Sequence, residues 1–197
     1  MEKGRRLAML PQSPKALFTT DTLWEDLMDS ADGNEEKAKT MAARMNLSDK
    51  IYAHPYDLSG GELQRAAIGK LLLRDADILL LDEPTKGLDA VVRNQVYDTF
   101  CMVRDQYRVG FIVITHDLLL ARKFCERIVV MYCGRVLETN AARELFEHPR
   151  HPYTQGLIAS LPHLGMKPMA GFSPAFTDQP SGCVFHPRCP YAEARCR

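Results

Sequence analysis

Apolar positions fall along the chain in blocks whose spacing changes several times, and each change marks an element. Residues 5–10, Arg-Arg-Leu-Ala-Met-Leu, form a strand-like run that stops at Pro11-Gln12-Ser13-Pro14. There proline fixes its own φ and restricts its predecessor. Residues 15–57 are predicted mostly helical. Thr22-Leu23-Trp24-Glu25 fits the Thr-x-x-Glu capping pattern, and Leu23, Leu27 and Met28 then share a face. Asp32-Gly33-Asn34 signals a turn. From Glu35 to Leu47, Ala38, Met41, Ala42 and Met45 recur at helical spacing, a methionine-rich stripe suited to core packing. Ser59-Gly60-Gly61-Glu62 repeats the capping pattern, and the helix behind it runs to about Arg74 with Leu63, Ala67 and Leu71 inward.

The second half changes period. Ile78-Leu79-Leu80-Leu81 is a continuous apolar run, as in a parallel strand covered by helices on both faces, and it ends on Asp82 and Glu83. A helix over 90–107 follows with Val92, Val96, Phe100 and Val103 inward, and then a second buried strand over 111–115. Strand, helix, strand of this length predicts a right-handed crossover. That crossover sets His116 at the same sheet edge as Asp82, where open α/β sheets place their ligands. A helix over 118–126 leads to strands over 127–132 and 135–138, which turn at Cys133-Gly134. A short helix covers 141–147, and residues 162–182, rich in Pro, Gly and Ser, form a loop.

Composition narrows the classes. The 197 residues are 46% hydrophobic, enough for a core, and carry 25 Lys+Arg against 25 Asp+Glu. A net charge of zero argues against a nucleic-acid binder working through a basic field. No apolar run approaches the roughly 18–20 residues of a membrane span, and Met1–Arg6 has no apolar stretch behind it to make a signal peptide. Six cysteines without an export signal suggest reduced thiols or metal ligands. Cys101, Cys125 and Cys133 lack metal-ligand spacing and suit small buried thiols. Cys183, Cys189 and Cys196, separated by intervals of 6 and 7, suggest either soft-metal ligation or an unmetallated tail. His148 and His151 are each followed by proline, which favours a rigid connector over a metal site.

Two stretches carry chemistry. Gly60 and Gly61 leave the first amides of a helix unobstructed behind Ser59, which makes either a plain cap or an anion site. Asp82 and Glu83 end an apolar strand, where two carboxylates are costly to bury unless something positive faces them.

Leu58-Ser59-Gly60-Gly61-Glu62-Leu63-Gln64-Arg65, followed by Ile78 to Asp89 (Ile-Leu-Leu-Leu-Asp-Glu-Pro-Thr-Lys-Gly-Leu-Asp), resembles the signature motif, Walker B strand and D-loop of the ATP-binding cassette (ABC) ATPases. Gln12 ahead of this stretch and His116-Asp117 behind it complete the family's order of glutamine, signature, Asp-Glu and histidine. The resemblance implies an α/β fold: a P-loop NTPase-like ABC ATPase core over residues 1–140, incomplete at its N-terminus, with a helical subdomain at about 15–75. A loop-rich C-terminal extension follows over 141–197. It further implies ATP and Mg²⁺ as cofactors, with Asp82 holding Mg²⁺ through its water shell and Glu83 acting as general base. His116 would contact the γ-phosphate and orient the water, and Gln12 would touch the metal and that water. Ser59, Gly60, Gly61 and Glu62, with Asp89 of the D-loop, would meet a nucleotide held by an opposing subunit. The implied partners are transmembrane permease subunits, a second ABC ATPase subunit (the same or different) and, indirectly, an extracellular substrate-binding protein. No nucleic acid is implied, and the location is peripheral at the cytoplasmic face of the membrane. Surface-exposed residues around Phe18 and Trp24 would be the permease contact, with Trp24 as a core anchor the alternative.

Residues 148–157, His-Pro-Arg-His-Pro-Tyr-Thr-Gln-Gly-Leu, resemble the C-terminal extension of the oligopeptide, dipeptide and nickel importer ATPases. The cysteine tail is similar to theirs, in which four cysteines can hold an iron–sulfur cluster; here three are present. Pro11–Phe18 and Asp82–Asp89 also resemble the energy-coupling-factor ATPases of vitamin and metal uptake. The function implied is ATP hydrolysis energising import of peptides, nickel or a related substrate. The alternatives are an energy-coupling-factor-type ATPase and a truncated, non-catalytic ABC fragment; neutral charge and the importer-type tail speak against DNA repair or translation. The 197 residues contain no Gly-x-x-x-x-Gly-Lys-Ser/Thr phosphate-binding loop. Lys39-Thr40 lacks the glycine frame and follows Gln12, whereas the family places that loop first. The expectation is therefore a chain that starts just before Gln12 and that alone binds ATP weakly or not at all.

Overall fold

A computed structural model describes residues 6–175 and 177–197, so Arg5 of the expected first strand lies outside the described residues. The chain divides into two compact units, up to Asp117 and from Leu118 onward. This division follows packing, whereas the boundary at 140 follows motif content.

The first unit holds β1 (Leu7–Leu10), α1 (Leu23–Ser30), α2 (Glu35–Arg44), α3 (Gly60–Leu73), β2 (Ile78–Asp82), α4 (Ala90–Tyr107) and β3 (Gly110–Ile114). The strands form a parallel sheet in the order β1-β2-β3, with Leu10 opposite Leu81 and Asp82 opposite Ile114. Parallel pairing of β2 with β3 is what the strand–helix–strand spacing predicts. Leu10, Leu79 and Leu81 are fully buried on one face, and α3 packs against β1 on one side and α1, α2 and α4 on others.

The other face departs from the expectation of a second buried strand. Leu7, Met9, Ile112 and Ile114 are 61%, 45%, 52% and 51% exposed. Among the described residues β3 is an edge strand with a single neighbour, and alternate side chains of a strand point to opposite faces. A continuous apolar run therefore buries fully only where both faces are covered. Here Phe111 and Val113 are half-buried while Ile112 and Ile114 are exposed.

The helix starts follow the predicted caps. Thr22 with Glu25 and Ser59 with Glu62 form complete capping boxes, and Asn34 and Asp89 cap α2 and α4. Phe18 is buried and so is a core residue, and Trp24 is half-buried. Beside Phe18 the Lys70 ammonium of α3 pairs with Asp26 of α1 and donates to the Leu17 carbonyl at 2.6 Å.

The second unit holds α5 (Leu118–Phe124), β4 (Arg127–Tyr132), β5 (Arg135–Ala141), α6 (Ala142–Glu147) and α7 (Pro152–Ala159). β4 and β5 pair antiparallel across Cys133 and Gly134, whose φ values of 47° and 76° suit a two-residue turn of the twist-matched kind. β5 runs beyond the predicted Glu138. The Glu138 carboxylate accepts from the Arg150 and His151 amides at 3.0 and 2.9 Å, which fixes the His-Pro-Arg-His-Pro segment as a connector. His151 Nδ1 then accepts from the Tyr153 amide at 3.1 Å and caps α7 ahead of Pro152. His54-Pro55-Tyr56 in the first unit repeats this cap, also at 3.1 Å. Tyr132, Val184 and Phe185 form a core cluster in the second unit. Among the described residues, no helix is long and apolar enough to cross a membrane.

Candidate active site

The site is built at the carboxyl edge of the first unit's sheet. β2 ends on Asp82, and the next residue, Glu83, turns into a left-handed conformation at φ 47°. Its amide stays on the sheet, donating to the Ile114 carbonyl of β3 at 2.8 Å, while its carbonyl accepts from the Lys86 amide at 3.0 Å. This bend aims the carboxylate at the segment that follows β3. Glu83 Oε2 lies 2.7 Å from His116 Nδ1 and accepts at 3.4 Å from both the His116 amide and the Thr115 hydroxyl. The Glu83 side chain is mostly buried and the His116 ring mostly exposed, so the pair sits at a solvent boundary.

Around this pair, Gln64 of α3 donates to the Pro84 carbonyl from a buried position. Asp89 accepts from the Val91 and Val92 amides at 2.9 Å each and so is committed to starting α4. Arg93 donates to the Leu88 carbonyl and pairs with Asp117, both at 3.3 Å. The Asp117 amide in turn donates to Thr115 Oγ1 at 3.0 Å.

The glycines after Ser59 have a second reason to be glycine. A Cβ on Gly60 would sit 2.9 Å from Leu88 Cδ2, and one on Gly61 would sit 2.6 Å from Val92 Cγ1. The start of α3 is thus pressed against residues 88–92. The Ser59 hydroxyl donates to Glu62 Oε2 at 2.7 Å, as does the Ser59 amide at 2.8 Å. These two bonds hold the Glu62 carboxyl below the usual carboxylate range.

Of the residues singled out by sequence, the structure brings Asp82, Glu83 and His116 together at one edge. It sets Ser59, Gly60 and Gly61 beside the segment that ends in Asp89. Gln12 lies beyond the same carboxyl edge, two residues past β1, and is exposed. Arg93 and Thr115 were not legible as site residues. The one sequence signal for Arg93 is its place at the end of the first turn of α4, where a cation opposes the helix dipole and needs nearby acceptors.

The donor chemistry at Asp82 suits Mg²⁺, a hard ion usually held by one or two carboxylates and phosphate oxygens. Nothing among the described residues supports an iron–sulfur cluster on the cysteine tail. Among the described residues no three His, Cys, Asp or Glu side chains gather as a metal-holding group. Cys183 and Cys189 pack on the Tyr132–Val184–Phe185 cluster, and the Cys183 amide donates to the Cys196 carbonyl at 2.9 Å. Of the two alternatives for Cys183, Cys189 and Cys196, the ligand set is not assembled among the described residues. Aromatic packing and backbone bonding organise the tail instead.

Residues 2–86 match the ABC transporter family, and residues 137–196 match the oligopeptide/dipeptide transporter C-terminal region. Fold, edge carboxylates and these matches point to one class: over the matched segments the chain is similar to the ABC transporter family. Within it, the chain is similar to a putative peptide import ATP-binding protein of Brucella melitensis, at 37% identity over 82% of this chain and 52% of that protein. It is likewise similar to the dipeptide transport ATP-binding protein DppD of Haemophilus influenzae, at 38% identity over 75% of this chain and 46% of that protein. The di/tripeptide transport ATP-binding protein DppF of Pseudomonas aeruginosa is 35% identical over 85% of this chain and 54% of its own length. The chain thus spans about half the length of these relatives. The solved structure of cbiO1 from Clostridium perfringens, described as part of the ABC transporter complex cbiONQ, superposes with a TM-score of 0.67. It covers 81% of this chain and 65% of its own at 21% identity, a likeness of fold.

Proposed function

We propose that this chain forms the signature-to-histidine part of an ATP-hydrolysing subunit that energises peptide import through partner permeases. The observation that carries the reading is the Glu83 carboxylate held against His116 at the carboxyl edge of the sheet, beside Asp82. A carboxylate so placed polarises an attacking water, and the histidine orients it. Bound Mg²⁺–ATP would supply the electrophilic phosphoryl group, with Asp82 as the metal's protein-side ligand through water. Gln12, exposed at the same edge, would reach that water and metal. Ser59, Gly60, Gly61 and Glu62, with Asp89, would complete a nucleotide site on a second ATP-binding subunit. The peptide-importer reading is supported by the match over residues 137–196 and by the names of the relatives. The subunit would work at the cytoplasmic face of the membrane, with a substrate-binding protein acting on the far side.

The phosphates need a Gly-rich loop and its lysine, which these residues do not contain. The test therefore fuses residues 6–197 behind the phosphate-loop segment of a peptide-importer relative, in a strain lacking its own peptide-import ATPase. Restored dipeptide uptake is expected, with Glu83→Gln lowering it by roughly 10²-fold or more. Fused protein that folds and hydrolyses ATP yet restores only vitamin or cobalt uptake would overturn the peptide reading in favour of an energy-coupling-factor type. Undiminished uptake in Glu83→Gln would overturn the role of Glu83.

A further inference from the structure

We propose that Arg93 is the positioning residue of the Glu83–His116 pair, tying the segment that ends in Asp89 to the turn that carries His116. The inference deepens the reading of that pair as the water-activating groups, and rests on it. Three observations carry it. First, the guanidinium fork spans two separate backbone segments, with Nη2 on the Leu88 carbonyl and Nη1 on Asp117 Oδ2, both at 3.3 Å. Second, the contact continues without a gap to the carboxylate: the Asp117 amide donates to Thr115 Oγ1, and the Thr115 hydroxyl donates to Glu83 Oε2. Third, Arg93 Nε is buried without a hydrogen-bond partner, and the cation stands in the first turns of α4, where the helix dipole opposes it. The side chain is 43% exposed, so its outer face is solvated, but the buried Nε without a partner and the opposing dipole are unfavourable terms that the two fork contacts offset.

The chemistry requires arginine in particular. A planar guanidinium presents parallel N–H groups to two acceptors at once, whereas a lysine ammonium on its flexible stem does not reproduce that fork. Leu88 is also the residue whose Cδ2 meets the position of a Cβ on Gly60. Arg93 therefore sits where the start of α3, the residues leading to Asp89 and the His116 turn converge. A displacement of residues 88–89 by a partner subunit would move the Arg93 fork, and with it Asp117 and the turn holding His116. Glu83 has its own anchor, the hydrogen bond its amide donates to the Ile114 carbonyl, so losing Arg93 loosens the histidine from the carboxylate and leaves the sheet intact.

The test needs no nucleotide, so its outcome is independent of whether the chain binds ATP. The full chain is compared by NMR as parent, Glu83→Gln, Arg93→Met and the double variant, reading the displacement of the His116 ring signal caused by Glu83→Gln. In the parent background the ring signal moves, because the carboxylate faces Nδ1. In the Arg93→Met background that displacement is expected to shrink by at least about threefold, the signature of coupled sites in a double-mutant cycle. Asp117→Asn is expected to act as Arg93→Met does, and Arg93→Lys to fail to restore the parent displacement. Trp24 fluorescence on unfolding shows that each variant is folded; if Arg93→Met is not, Asp117→Asn carries the comparison. Equal displacement of the His116 signal in parent and variant backgrounds would overturn the proposal. A failure of the nucleotide reading would instead appear as lost ATP hydrolysis in the fused protein with the His116 coupling preserved.

Discussion

Lys70 and Asp26 offer the sharpest quantitative test of how the first unit is held together. Their side chains are 6% and 0% exposed, and the ammonium also contacts the Leu17 carbonyl and stands 5.4 Å from the Phe18 ring centre. Lys70→Met keeps the length and apolar stem of the side chain but leaves the Asp26 carboxylate buried. That carboxylate retains the Thr19 amide at 3.3 Å, while its Oδ2 already has no partner. Removing one member of a buried pair costs about 3–5 kcal/mol, because the other charge stays desolvated and unpaired. With a urea m-value of about 1–3 kcal/mol/M, the midpoint falls by about 1–5 M, near 2 M at the middle of both ranges. Trp24, the sole tryptophan, lies in α1 two residues before Asp26, so its fluorescence during urea unfolding reports this region directly. The double variant Lys70→Met/Asp26→Leu should recover most of the loss, since replacing a whole buried pair with apolar groups is near neutral or stabilising. A loss below about 1 kcal/mol in Lys70→Met, or a double variant no better than the single, would refute the account. Such a small loss is what an exposed pair gives.

Three further outcomes follow from the packing. Gly61→Ala places a methyl 2.6 Å from Val92 Cγ1 and should cost about 1–3 kcal/mol by overpacking, with Val92→Ala restoring stability in thermal melts. Glu62 has its folded-state pKa depressed by the Ser59 hydroxyl and amide, so its stabilising contribution is full above the unfolded value, about 4.3. That contribution is lost as pH falls through the lower folded value, and acid unfolding should be less steep over that window in Glu62→Gln. Arg188→Ala removes bonds to Ala170 O at 2.9 Å, Ser173 Oγ at 3.2 Å and the Tyr132 hydroxyl at 3.3 Å. It should speed hydrogen exchange of residues 183–196, whereas an iron chelator should leave the parent's exchange unchanged.

Local signals were readable in the sequence wherever one short stretch contains the whole cause. The capping boxes at Thr22 and Ser59, the turn at Cys133-Gly134 and the strand delivering Asp82 depend on residues a few places apart, and each stands where expected. Features that depend on distant partners were not readable. Lys70 and Asp26 lie 44 positions apart, and no local pattern distinguishes a lysine that pairs inside from one that faces water. Phe111–Ile114 reads the same on a central strand as on an edge strand, because the pattern records apolar character and not the number of covered faces. The cysteine spacing suggested a ligand set, yet the aromatic packing of Tyr132 and Phe185 decides where Cys183 and Cys189 go. In the candidate site the two carboxylates and the histidine were legible as an ordered series of motifs. Arg93 was not, since its meaning lies in the Leu88 carbonyl and Asp117, which only folding brings together.

The left-handed backbone at Glu83 has a consequence for how this sequence can change. A non-glycine residue in that conformation costs of order 1–3 kcal/mol, and glycine would occupy φ 47° with little penalty. Selection for robustness alone would drift this position toward glycine, at the expense of the contacts with Thr115 and His116. On the role proposed for Glu83, a glutamate in this conformation would be a stability–activity trade-off. Variants selected only for heat tolerance should lose this carboxylate early, and variants selected for turnover should keep it and gain stability elsewhere.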